Sequence, residues 1–137
     1  MRNPWARLAS FYRMMNRNRA FRWEGRFADW LATLDPARPK GDMPERWYAH
    51  GMMSVAAFTA DESGRALIDA AYRIEDEPPR MCADLGKRLG RRHETAALGH
   101  VNRAPISYSW REMYGSIERD LVARLYADEI ARFGYDF

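Results

Sequence analysis

Leu8, Phe11, Tyr12 and Met15 recur with a helical period on one side of a first segment, and Arg7, Ser10, Arg13 and Arg17 share the other side. Asn3 is a good N-cap, and Pro4 suits the first turn because the N–H it lacks is one that a helix start leaves unpaired. The pattern predicts a helix from Pro4 to about Arg19, weakened in its last turn by Asn16 to Asn18. Phe27, Trp30, Leu31 and Leu34 predict a second helix over 26–34, ended by Asp35-Pro36. Pro36, Pro39, Gly41 and Pro44 mark 35–46 as a loop. Trp47 to Phe58 is apolar enough to be buried, but its methionines and alanines suit strand and helix equally.

Asp61-Glu62-Ser63-Gly64 is a turn signal that predicts a hairpin joining 56–58 to 66–68. Pro78-Pro79 opens a helix in which Met81, Leu85 and Leu89 follow at four-residue spacing until Gly90 stops it. The closing pattern predicts one helix from about Ser116 to Phe133 that buries Ile117, Leu121, Leu125, Ile130 and Phe133, with Gly134 as its C-cap. No internal repeat or linker divides the chain.

With 137 residues, 47% of them hydrophobic, the chain is long enough for one domain and too short for two. No apolar run approaches a membrane span and no signal-peptide core is present, so the chain is expected to be soluble and cytoplasmic. Its single cysteine, Cys82, cannot form an internal disulfide, in keeping with a reducing compartment. Only two of the 22 basic residues are lysines, a hint of a GC-rich bacterial genome.

The formal charge of +3 is unevenly spread: residues 1–26 hold seven arginines against Glu24, a local +6, which leaves −3 for the remainder. A basic front of this kind serves nucleic acid, an anionic membrane or a phosphate-rich cofactor equally well. Unpaired N–H groups and the helix dipole favour a phosphate at a helix start, and Arg2 beside it adds a fork of charge-assisted donors. Ser10, seven residues after Asn3, returns to nearly the same side of the helix as Asn3, roughly 10 Å further along. Spacing alone leaves open an ordinary amphipathic helix with a solvated arginine face.

Arg2-Asn3-Pro4-x-x-Arg7-x-x-Ser10-x-Tyr12 resembles the 3′-phosphate-binding motif of sulfotransferases that use 3′-phosphoadenosine 5′-phosphosulfate (PAPS), particularly the carbohydrate branch. Further likenesses follow in order. Residues 26–34 resemble the short helix after that motif, and Tyr72-Arg73-Ile74-Glu75-Asp76 a strand end of the family, with Glu77 where leucine is usual. Gly99-His100-Val101-Asn102-Arg103 resembles a late segment, with Gly99 in place of proline, and Leu121 through Tyr135 resembles the terminal helix.

The resemblance implies an α/β fold, the C-terminal portion of a P-loop-like parallel-sheet domain, mostly helical in the part present and comprising 1–137 as one partial domain. It implies a sulfuryl transfer from PAPS to a hydroxyl, with a carbohydrate acceptor, no metal and no nucleic-acid partner. Arg2 and Ser10 are the implied 3′-phosphate ligands, and Arg7 is a weaker third candidate.

The family's loop for the 5′-phosphosulfate, a lysine followed by Thr or Ser and Gly, is absent: Lys40 precedes Gly41-Asp42 and Lys87 precedes Arg88. Met1 stands where the last apolar residue of the preceding strand belongs, so two expectations stay open: a C-terminal half whose upstream part is missing, or a genuine remnant that retains nucleotide contacts but cannot catalyse. Alone it would be inactive, and marginally stable or aggregation-prone for want of its sheet. The alternative is a non-enzymatic basic module for nucleic acid or another anionic partner.

Other groups weigh less. His93 and His100 match no metal-ligand spacing, and His100 reads more readily as a structural hydrogen-bonding residue than as a general base. Glu75 suits an acceptor-site acid less well than a helix-cap or salt-bridge partner. Of the five tryptophans, Trp47 and Trp110 are the better stacking candidates; Trp5, Trp23 and Trp30 suit the core. No catalytic residue is assigned.

Overall fold

The computed structural model describes residues 1–17, 22–37, 51–75, 78–90 and 109–137. Within them the regular structure is helical, and no strand is present; Ala60 and Ala66 form an isolated antiparallel bridge. The segments around Lys40, Trp47, His93 and His100, the end of the first predicted helix and most of the 35–46 loop lie outside the described residues.

Helix α1 spans Pro4–Arg17 and is the element on which the others pack. Asn3 caps it as the sequence predicts: the Ala6 N–H donates to Asn3 Oδ1 at 3.3 Å, and the Arg7 N–H to the Asn3 carbonyl at 2.8 Å. Leu8, Phe11 and Met15 are buried as expected, but so are Pro4, Trp5, Ala6 and Ala9, so the first half of α1 is enclosed on more than one side. Neighbours from distant sequence supply that cover: the 3₁₀ turn Trp110–Met113 and helices α5 (Ser116–Leu125) and α6 (Ala127–Phe133). Trp5 donates its indole N–H to the Arg119 carbonyl at 3.1 Å, and the Tyr114 hydroxyl donates to the Trp5 carbonyl at 2.7 Å.

Helix α2, Phe27–Leu31, is shorter than the 26–34 predicted. Beyond Leu31 the chain makes tighter turns, with the Thr33 N–H on the Trp30 carbonyl and the Leu34 N–H on the Leu31 carbonyl. Trp30 and Leu31 are buried against Phe11 and the terminal helices, and the Trp30 ring stacks 6.1 Å from that of Phe11.

The 56–58 strand of the predicted hairpin is helical instead. Helix α3 spans Val55–Thr59, capped by Ser54, whose Oγ accepts from the Ala57 N–H at 3.1 Å. The turn itself is real: the Gly64 N–H bonds the Asp61 carbonyl, and Gly64 takes the positive φ of 84° that glycine allows. Helix α4, Pro78–Arg88, agrees with its signals and ends at Gly90 in a left-handed conformation. Its apolar positions are not covered, however: Leu85 is 42% and Leu89 71% exposed.

The closing helix is broken in two. Tyr126, at φ −119° and ψ 28°, separates α5 from α6, and the buried face carries Val122, Tyr126 and Glu129. Ile117, expected in the core, is 78% exposed, because the face turned to α1 is the Val122 stripe and not the Ile117 stripe. Leu121, Leu125, Ile130 and Phe133 are partly buried at its margin. Gly134, at φ 60° and ψ 43°, caps α6 as the sequence predicts. Among the described residues no helix is long and apolar enough to cross a membrane.

Candidate functional site

The start of α1 is fixed by one side chain. Besides capping the helix, Asn3 donates its backbone N–H to Glu75 Oε1 at 2.5 Å and its side-chain Nδ2 to the Asp136 carbonyl at 2.8 Å. One step earlier the Met1 amine donates to the Tyr72 carbonyl and the Ile74 N–H donates to the Met1 carbonyl, two bonds that flank Arg73 in a parallel register. Arg73 in turn donates to the carbonyls of Phe133 (3.1 Å) and Gly134 (3.3 Å), the negative end of α6, and its guanidinium lies 5.0 Å from the centroid of Tyr135. Residues 1–3, 72–75 and 133–136 are thereby joined.

This arrangement changes the anion reading of the helix start. The backbone donors of residues 3 and 6 are taken by the chain's own oxygens, and Pro4 has none, so side chains must supply most of any phosphate contact. Glu75 serves as a helix-start carboxylate on the Asn3 N–H, the bland alternative to an acceptor-site acid. Arg2 is exposed and has no hydrogen bond or ion pair among the described residues; Ser10, half-buried, likewise leaves its hydroxyl unpartnered among them. Arg13, half-buried, and the exposed Arg17 also lack an acidic partner there, whereas Arg26, Arg65 and Arg88 each pair with an aspartate.

Arg7 is placed differently from the other two candidates. Both terminal nitrogens of its guanidinium grip Glu129, at 2.6 Å and 3.1 Å, with side-chain exposures of 15% and 1%. Glu129 Oε2 also accepts the Val55 N–H at 3.2 Å, so a single carboxylate ties α1, α3 and α6 together. The Arg7 guanidinium lies 5.3 Å from the Tyr126 ring centroid, and Tyr126 donates its hydroxyl to the Met52 carbonyl. Burial raises the ionisation of Tyr126 far above the ordinary tyrosine range despite the pull of Arg7, so its hydroxyl remains a donor. Arg7 Nε is buried without a hydrogen-bond partner, as is the hydroxyl of Tyr135, which burial also keeps protonated.

Glu129 and Tyr126 were not singled out by sequence reasoning. The usable signal was the i, i+4, i+7 stripe Val122–Tyr126–Glu129, which puts a carboxylate on an apolar face where an arginine must answer it. Trp110, one of the stacking candidates, is engaged within the protein: its ring meets Phe137 and Tyr114 edge-on, and the Arg111 guanidinium sits 4.2 Å from its centroid. Trp5 and Trp30 are buried in the core, and Trp23 packs partly buried against it. Cys82 is half-buried and outside any disulfide. Among the described residues no three His, Cys, Asp or Glu side chains converge as a metal site would require. No family model, curated protein or solved structure matches the chain.

Proposed function

We propose that the chain is the 3′-phosphate-binding part of a PAPS-dependent sulfotransferase, on a parallel-sheet scaffold and acting on a hydroxyl of a carbohydrate. The observation that carries this reading is the meeting of the stretches on which the resemblance rests. Residues 2–12, 73–75 and 121–135 are far apart in sequence, yet they join through Asn3–Glu75, Arg73–Phe133 and Arg7–Glu129. Arg2, just before α1, and Ser10, within it, are left with donors to spare among the described residues.

Their role is positioning. Charge-assisted hydrogen bonds to the 3′-phosphate, about 1.5–3 kcal/mol each, would hold the nucleotide while its sulfate meets the acceptor in line. The sequence contains no lysine-containing loop for the 5′-phosphosulfate, so the activity of this chain by itself is nucleotide binding.

Titration calorimetry with the nucleotide product PAP and with AMP tests the reading. A preference for PAP, lowered about tenfold or more by Arg2→Ala and by Ser10→Ala, is expected. Equal binding of PAP and AMP, with DNA binding that falls steeply as salt rises, would replace it with the basic-module alternative.

A further inference from the structure

Arg7 stands five residues after Arg2 and three before Ser10, the spacing that makes it a helical neighbour of Ser10, one of the two phosphate ligands of the proposed site. A guanidinium there would be a natural third ligand, yet both of its terminal nitrogens are closed on Glu129. That carboxylate is 1% exposed, its other bond is to the Val55 N–H, and Tyr126 lies beside the guanidinium. Opposite charges paired at 2.6 Å present almost no net charge to an outside anion. Arg7 Nε, buried and without an acceptor, shows that the guanidinium is aimed at the carboxylate at the expense of one of its own donors.

We infer that Glu129 is a specificity-determining residue of this site, withholding Arg7 from the bound phosphate so that Arg2 is the cation that reads it. The inference rests on the phosphate-site reading above. It gives Glu129 a role apart from holding helices together: it sets the charge of the site, and with it the affinity for the terminal phosphate monoester.

Four proteins separate this role from a structural one, all measured by calorimetry with PAP and AMP at a temperature where each is folded by circular dichroism. Arg7→Met in the otherwise native chain leaves the Glu129 charge unanswered, and PAP affinity is expected to fall about tenfold with AMP unchanged. E129Q keeps the shape and an acceptor for Val55 but frees the Arg7 charge; PAP affinity is expected to rise about tenfold, with AMP unchanged, although the melting temperature falls. In Arg7→Met/E129Q that gain should vanish. Arg7→Met/Glu129→Met replaces the pair by apolar groups of similar volume, folds without a stranded charge, and should bind PAP as the native chain does.

Loss of PAP affinity in Arg7→Met/E129Q or in the Met/Met chain would make Arg7 a ligand and overturn the inference. So would unchanged or weakened PAP binding in folded E129Q. If the native chain itself shows no preference for PAP over AMP, it is the phosphate-site reading that fails, a result visible before any variant is made.

Discussion

Residues 4–15 with 110–135 are held by contacts between positions more than a hundred residues apart, among them Trp5–Arg119, Tyr114–Trp5 and Arg7–Glu129. Residues 56–70 and 79–90 are shaped by near neighbours instead: Thr59 on Val55, Ser63 and Arg65 on Asp61, Arg88 on Asp84. Exposure follows the same division. Leu8 and Val122 are fully buried, whereas Leu67 is 63% and Leu89 71% exposed; Ile117, on the outer face of α5, is the exception in the first region. Caps, turns and i,i+4 pairs are thus enough to shape the middle of the chain, but only distant partners remove its apolar groups from water.

The contrast is broken most directly at Glu129. Glu129→Ala strands Arg7 and removes the acceptor of Val55, and a loss of about 3–5 kcal/mol in urea unfolding is expected. Arg7→Met/Glu129→Met should recover most of it, and a single variant costing under about 1 kcal/mol would show that the distant contacts do not hold the core.

Next come paired leucine truncations. Leu8→Ala is expected to cost about 2–5 kcal/mol and Leu89→Ala no more than about 0.5 kcal/mol. Similar losses at the two positions would mean that Leu89 is covered in solution.

The smallest effect is electrostatic and belongs to the middle region. The Asp84 carboxyl is held below its ordinary value of 3.8, first by the hydrogen bond from Tyr72 and then by Arg88. A folded value below the unfolded one means that its contribution is complete above the unfolded value and disappears as pH falls through the folded one. Acid unfolding followed below about pH 4 should therefore flatten slightly in Asp84→Asn, with no change at pH 7 in the Arg7–Glu129 region. An undiminished acid slope would remove Asp84 from the account.

The local features were legible in sequence because their causes are local. The Asn3 cap, the Asp61–Gly64 turn, the start of α4 and the Gly134 cap each depend on a few adjacent residues, and each is where the residue types put it. The terminal helix shows where this stops. A single amphipathic pattern offers two stripes, and the choice of Val122–Tyr126–Glu129 over Ile117–Leu121–Leu125 is made by α1 and by Arg7, more than a hundred residues away. The same distance hid the fate of Arg7. On a helical wheel it groups with Ser10, Arg13 and Arg17, and only the carboxylate from α6 turns it inward. Residues 56–58 were misread as a strand because a turn signal says nothing about what precedes it, and the Ser54 cap decided the matter.

The double hold on Asn3 bears on the order of assembly. Its backbone reaches Glu75 and its side-chain amide reaches Asp136, separations of 72 and 133 residues. During synthesis at roughly 5–20 residues per second, the first turn of α1 therefore waits at least several seconds for its last partner to be made. The first turn of α1 thus exists before the residues that fix its final geometry, and until Asp136 is made it lacks one of the two long-range bonds that hold Asn3.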